Sequence, residues 1–434
     1  MRAAQAEVVR LSELGAHEGE RVSVRGWLAH RRGHGAIGFL VVRDGSASAQ
    51  AVVRQDQAPA AFSTADGLGQ ESALELVGTV RAQPRAPGGY ELQVESLEVL
   101  SHAADYPITP KEHGIEFLMD HRHLWLRHGR PAAILRIRDT VLWACEAFLR
   151  QEGFVRVDAP ILMGTAAENT TQLFRTDYFG QPAYLTQSGQ LYAEAAAMAL
   201  GRVYTLGPTF RAERSKTRRH LLEFWMLEPE MAFATLGDVM ALEERLVAFV
   251  VAAVLERSAR DLESLGRDTA PLRRVVAPFP RLSYDEAAER LRAQGLELEP
   301  DEDFGAPHET AISAAYDRPV FVHGFPAAIK PFYMEPVPGC PERVLAADLL
   351  APEGYGEIIG GSQRIADAEL LAHRMAEAGL DAATYDWYMD LRRYGGVPHS
   401  GFGLGIERTV AWIAGLEHVR EAIPFPRTYN RLGP

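Results

Sequence analysis

Cysteine is almost missing: Cys145 and Cys340 are the only two in 434 residues. They lie far apart in apolar or proline-rich surroundings, so neither a disulfide framework nor a cysteine-type zinc site can be built, and both are expected as free thiols. No apolar run approaches the roughly 20 residues that cross a bilayer. The start, MRAAQAEVVRLSELGAHEGE, is polar and charged, without the apolar stretch behind a basic end that marks a secretory signal. A cytosolic protein with no membrane contact is expected. Positive charge is also in deficit, with 45 Lys and Arg against 58 Asp and Glu and a net charge of −13. That excludes a protein that coats nucleic acid indiscriminately, because phosphate binding relies on cationic side chains.

What positive charge there is comes in two islands. Arg21, Arg25, Arg31, Arg32 and Arg43 crowd one, and Arg211, Arg214, Lys216, Arg218 and Arg219 the other. An acidic chain with two basic islands fits a polyanion binder with a defined footprint. The length calls for two or three domains. From Val22 to about Leu100, five short β-type runs (VSVRGWLAH, FLVVRD, AQAVVR, ALELVGTV, YELQVESLEVL) are broken by glycine turns. Five strands at that spacing, with no long helix between them, predict a small OB-fold barrel over residues 1–105. A proline-bearing linker is expected over 106–125 and an α+β domain over 126–434. A charged, helix-patterned insertion is expected at about 257–305. The α+β domain should open with one amphipathic helix, ILRIRDTVLWACEAFLRQ, ended by Gly153 and followed by a strand, VRVDAPIL.

Two segments of that domain carry chemistry. Thr209 to Glu228 reads as strand, basic loop, strand, a hairpin able to hold a triphosphate, with Arg211 and Glu213 on one side of the sheet by the period of two. Arginine suits a phosphate because its planar fork bonds at two points; a surface hairpin with salt bridges is the competing reading. His399 to Trp412 reads as a glycine-rich strand turning into a helix that carries Arg408 near its start. Glycine lets backbone approach a ligand, and a helix start favours anions. A dinucleotide fingerprint is excluded, since it needs a further strand and an acidic residue about 20 positions on, and the sequence stops at Pro434. His121, His123 and His128 lack a third ligand at metal spacing and are read as structural.

Together the two segments resemble a known family. FRAE followed by RHLLEF is similar to motif 2 of class II aminoacyl-tRNA synthetases, GFGLGIER to motif 3, and the helix running into VRVDAPIL, with Pro160, to motif 1 at the dimer interface. An OB-like domain ahead of the core resembles subclass IIb, and FWMLEPEMAF with the late IPFPRT resembles its asparaginyl branch. The resemblance implies an aminoacyl-tRNA ligase using ATP, Mg²⁺, L-asparagine and tRNA(Asn), and working as a homodimer. It implies that Arg211 grips the α-phosphate, Glu213 reads the adenine amino group, Phe224 stacks under the adenine, Arg408 lies over it, and His220 holds the terminal phosphates. Asp348 and Glu357 match the acidic pair that holds Mg²⁺. Glu168, Ser188 and Gln190 match residues around the substrate α-amino group. Arg364 would donate to the amide carbonyl, and Glu228, or else Glu223, would accept from its NH₂. In the barrel, Arg32, Phe39 and Gln50 match anticodon-contacting positions.

Two positions depart from the family. Its metal-proximal serine is Gly360 here, and the lysine by which aspartyl enzymes pair the substrate carboxylate is Ala193. Without that cation a buried carboxylate lacks a partner, so a neutral carboxamide is favoured. Three rival functions stay open: an archaeal-like aspartyl enzyme, an asparagine synthetase on the same core, and a non-catalytic tRNA-binding paralogue.

Overall fold

The structure, a computed structural model, describes residues 6–164, 173–215, 217–299, 301–381 and 383–434. The chain divides into two compact units, Met1–His113 and Gly114–Pro434.

In the first unit, five strands, β1 (Arg21–His34), β2 (Ile37–Arg43), β3 (Ser48–Arg54), β4 (Ala73–Ala82) and β5 (Tyr90–Ser101), run in the order β1-β2-β3-β5-β4, with β4 closing onto β1. A two-residue strand, Glu7–Val8, adds to β1. Alternation decides what points inward: Val22, Val24, Leu40, Val42, Leu74 and Leu76 fill the barrel, with helix α1 (Pro59–Asp66) packed against it. The barrel bends at Gly78, where the β4–β5 register shifts and a Cβ would fall 2.1 Å from the Gln93 carbonyl oxygen.

The second unit opens with α2 (Gly129–Gln151), which ends at the left-handed Gly153. Of the strand expected in VRVDAPIL, β6 (Val155–Arg156) forms at the start, and Leu162 opens a separate strand, Leu162–Met163, that pairs with Gln181–Leu185. Pro160 lies outside both, consistent with a residue that cannot donate to a ladder. Next come α3 (Gln190–Leu200), β7 (Arg202–Phe210), β8 (Glu223–Ala232) and α4 (Leu236–Arg257). Thr235 caps α4, its hydroxyl accepting from the Asp238 amide while the Asp238 carboxylate accepts from the Thr235 amide. The charged stretch after α4 holds the helices Ala259–Ser264 and Tyr284–Ala293, a single 3-10 turn at Leu272–Arg274, and also a strand, β9 (Arg281–Ser283), which joins the main sheet. Then follow α5 (Ala306–Ala314), β10 (Val320–His323), β11 (Ala346–Ala351), β12 (Gly356–Arg364), α6 (Asp386–Arg393), β13 (His399–Gly405) and α7 (Ile406–Ala414). The eight-stranded sheet has the order β9-β10-β11-β12-β13-β8-β7-β6, antiparallel except at its two outer pairs. The buried faces of α2, α4 and α7 cover it, and Glu407 of α7 pairs with Arg138 of α2 at 2.7 Å, tying the last helix to the first.

Candidate active site

Two adjoining cavities open over the middle of this sheet. The smaller is lined by Arg211, Glu213, His220 and Phe224 from the β7–β8 hairpin, Glu357 from β12, and Arg408 from α7, with Gly403 and Gly405 at its floor. All six side chains expected around the nucleotide therefore meet in one place. Arg211 and Glu213 reach it from beyond the end of β7, which stops at Phe210; the Arg211 amide still donates to the Leu222 carbonyl at 3.0 Å, so the hairpin keeps its ladder one step further. The Arg211 guanidinium carbon lies 5.6 Å from the centre of the Phe224 ring. His220 sits 3.9 Å from Glu213, and its imidazole is pushed below the usual range by burial and by Arg408, against the pull of Glu213.

The larger cavity, about 530 Å³, lies beside the first and shares Arg211, Met226, Glu357 and Gly403 with it. Its walls include Ser188, Gln190, Glu228, Asp348 and Arg364. Glu223 lines neither cavity; at the start of β8 it faces Arg427 in an isolated bridge. Glu228 is buried and accepts from the Ser188 hydroxyl, from the Gly189 amide at 2.8 Å and from Thr205 at 3.3 Å. Arg364 is also buried, held by Glu230 through Nε and Nη2 and by Ser362. Glu230 was not anticipated from the sequence, though it stands two residues from Glu228 on β8 and the period of two puts both on one face. Ala193 lines neither cavity and is buried with Ala197 and Val203. Glu168 lies outside the described residues, as does Lys216.

Asp348 and Glu357 come together through a register shift. Asp348 stands opposite Gly360, while a bulge between Leu349 and Leu350 leaves Ile358 unpaired and sets Leu350 opposite Glu357. By simple alternation Glu357 and Gly360 would face opposite sides; the bulge returns them to one side. A Cβ at Gly360 would sit 3.0 Å from a Glu357 oxygen and 3.5 Å from an Asp348 oxygen, so glycine leaves open a gap that both carboxylates border. No cluster of three or more His, Cys, Asp or Glu suited to a metal occurs among the described residues. Two carboxylates beside an arginine-lined cavity are nonetheless a donor set that Mg²⁺ takes together with phosphate oxygens.

Both carboxylates already carry a protein cation. Lys330, missed in the sequence because it sits in an apolar, proline-flanked run, reaches Asp348 at 2.9 Å and lies 3.8 Å above the Phe325 ring. Arg408 meets Glu357 at 2.9 Å. Burial drives the Asp348 carboxyl up to about 7 against the pull of Lys330. Burial acts the same way on Glu357, but Arg408, Lys330 and Arg211 together hold that carboxyl below its usual range. Arg219 pairs with Glu309 at 3.0 Å, and Glu309 accepts from the Glu357 amide at 3.1 Å, so part of the basic loop braces the acidic pair.

In the barrel, Arg32 and Phe39 are register partners, with the guanidinium 5.2 Å from the ring centre, and Arg32 donates to Gln50 at 3.1 Å. Phe39 is half-buried and stands apart from the barrel core. Arg21, Arg25, Arg31 and Arg43 are each paired with a carboxylate.

The sheet, the arginine pair and the cavity that Gly403 and Gly405 line have the arrangement of a class II synthetase core. The family described as tRNA synthetases class II (D, K and N) matches residues 114–429, and an OB-fold nucleic acid binding domain matches residues 22–100. The chain belongs to this class II family. At a finer level it is 58% identical to the asparagine–tRNA ligase of Symbiobacterium thermophilum, over 98% of this chain and 99% of that protein. It is 59% identical to that of Thermus thermophilus, over 98% and 100%. The crystal structure of asparaginyl-tRNA synthetase from Pyrococcus horikoshii complexed with asparaginyl-adenylate superposes with a TM-score of 0.95 at 45% identity, over the whole of both chains.

Proposed function

We propose that the chain is an asparagine–tRNA ligase that activates L-asparagine with ATP and transfers it to the 3′ end of tRNA(Asn) in the cytosol. One observation carries the reading: Arg211 and Glu357 line both cavities, so a nucleotide in one and an amino acid in the other would meet at this arginine and this carboxylate. In the first step the asparagine carboxylate attacks the α-phosphorus of ATP, the bond to the β-phosphate breaks, and pyrophosphate leaves. Arg211 binds the α-phosphate and stabilises the charge that builds on it, while Glu213 and Phe224 hold the adenine and His220 and Arg408 the outer phosphates. Asp348 and Glu357 would hold Mg²⁺, which neutralises phosphate charge when bound. Ser188 and Gln190 orient the α-amino group; Arg364 and Glu228 face the carboxamide. In the second step the terminal hydroxyl of tRNA attacks the acyl carbon and AMP departs.

Arg32, Phe39 and Gln50 would contact the anticodon, by stacking and charge as OB barrels hold single strands. A homodimer is supported by exposed apolar residues along the motif 1 segment, Trp143, Val155, Ile161 and Leu162. No helix among the described residues is long and apolar enough to cross a membrane. Charging of a tRNA(Asn) transcript with labelled asparagine tests the proposal, and failure to charge while aspartate is esterified would reject it.

A further inference from the structure

Beneath the larger cavity lies a buried carboxylate that the steps above leave unused. Glu194, on α3, is fully enclosed. Its oxygens accept from the Tyr388 hydroxyl at 2.7 and 2.9 Å and from Arg392 Nη2 at 2.8 Å, and His399 Nε2 lies at 2.9 Å. Tyr388 and Arg392 come from α6 and His399 from β13, so two elements beyond α3 converge on one side chain. The fourth contact points back to the cavity: Gln190 Nε2 donates to Glu194 Oε1 at 3.0 Å.

A primary carboxamide has one accepting end and one donating end, and which end faces a ligand is set by what the other end meets. An ionised carboxylate only accepts. Burial works against that ionised form, but Arg392 and His399 outweigh it and hold the Glu194 carboxyl far below the usual range. Gln190, one turn earlier on the helix, must therefore turn its NH₂ toward Glu194. Its Oε1, which has no partner among the described residues, is the end left for the cavity that Gln190 lines. An α-ammonium group needs acceptors and is repelled by N–H.

We infer that Glu194 is a positioning residue for amino-acid recognition: anchored by Tyr388, Arg392 and His399, it locks the Gln190 carboxamide with its carbonyl oxygen toward the substrate ammonium. The inference rests on the amino-acid site proposed above. It assigns the selection of the ammonium group to a residue that never touches the substrate. Gln190 alone would present either end. With Glu194 beneath it, only the accepting end is presented, and the penalty for reorientation is met during folding rather than on binding.

The test is Glu194→Gln, which preserves size but accepts or donates, so Gln190 is free to turn over. The KM for asparagine should rise about 10- to 100-fold, the loss of a hydrogen bond to a charged group, with the KM for ATP unchanged. Succinamate, which is asparagine without its α-amino group, should inhibit wild type and variant with equal Ki, because it has no ammonium to lose. In a Gln190→Ala background, Glu194→Gln should cost asparagine binding nothing more. Equal weakening of succinamate and asparagine, or additive effects in the double variant, would overturn the inference. If Glu194→Gln does not fold, Tyr388→Phe removes one anchor and should weaken asparagine but not succinamate; equal weakening of both would again overturn it. A wild-type enzyme with no asparagine-dependent exchange would instead remove the function proposed above.

Discussion

Arg408 Nη1 lies 2.9 Å from Glu357 Oε2 and 3.1 Å from the carbonyl oxygen of the same residue. A helix residue is thus fastened to the strand that carries one of the two acidic groups, and it lines the cavity proposed to take the nucleotide. Arg408→Ala should lower asparagine-dependent pyrophosphate exchange by about 100-fold or more, in the range of losses seen when a charge-stabilising donor is removed. Affinity for tRNA, measured by filter binding, should be unchanged. Undiminished exchange would contradict the assignment.

Lys330 and Asp348 form the matching pair on the other side, and Lys330 stands where it competes with a divalent ion for Asp348. Lys330→Met should leave a carboxylate unpaired in an enclosed site and cost about 3 kcal/mol in chemical denaturation. Titrated without nucleotide, the variant should bind Mn²⁺ more tightly than the wild type does. Removing divalent ions with chelator should stop exchange in both proteins, and added Mg²⁺ should restore it.

The Arg364 guanidinium grips Glu230 through two nitrogens. Arg364→Lys keeps the charge and loses the fork. Stability should fall by about 2 kcal/mol or more, because Glu230 remains buried with a poorer partner. The KM for asparagine should rise more than that for ATP, and equal changes would argue that the effect is global.

His418 adds one pH-dependent contribution to stability. Burial, reinforced by Arg420, pushes its imidazole down to about 4, and its Nδ1 accepts from the Arg420 amide. The folded form therefore prefers the neutral ring, while the unfolded chain takes up its proton near the ordinary value of 6.5. Between those values the unfolded state binds more protons, so stability falls as pH drops from about 6.5 towards 4 and is fully present above it. Because the ring is half-exposed, the loss should be about 1 kcal/mol rather than the full amount the shift implies. Denaturation of wild type and His418→Gln at pH 8 and pH 5 checks this: the difference between them should shrink at the lower pH.

The nucleotide side was legible because its chemistry is local. Arg211, Glu213, His220 and Phe224 fall within one hairpin and Arg408 follows directly on a glycine-rich strand, but the strand period relates only Arg211 to Glu213; the others are related by the resemblance to motifs 2 and 3. The acidic pair was legible only as a pattern. What brings Glu357 round to Gly360 and Asp348 is a single bulge after Leu349, and nothing in the residue types announces it. Lys330, Glu309 and Glu194 went unread for a different reason. Each is an isolated charge in a stretch that is otherwise apolar or helical, and each gains its partner only when elements distant in sequence pack together. The strand expected through Pro160 is broken in two: Val155 pairs with Val203 in the main sheet and Leu162 with Leu185 in a separate three-stranded sheet, and Pro160 between them has no amide hydrogen to carry a ladder across.

On the proposed function, two arginines and an acidic pair hold ATP beside a pocket suited to an uncharged carboxamide. Pyrophosphate exchange by the purified wild-type chain, run with asparagine and with aspartate in parallel at equal concentration, tests it most directly. Exchange with asparagine at least about 100-fold above aspartate is predicted, as expected where buried groups are left unmatched by the wrong substrate. Exchange with aspartate and none with asparagine would contradict it.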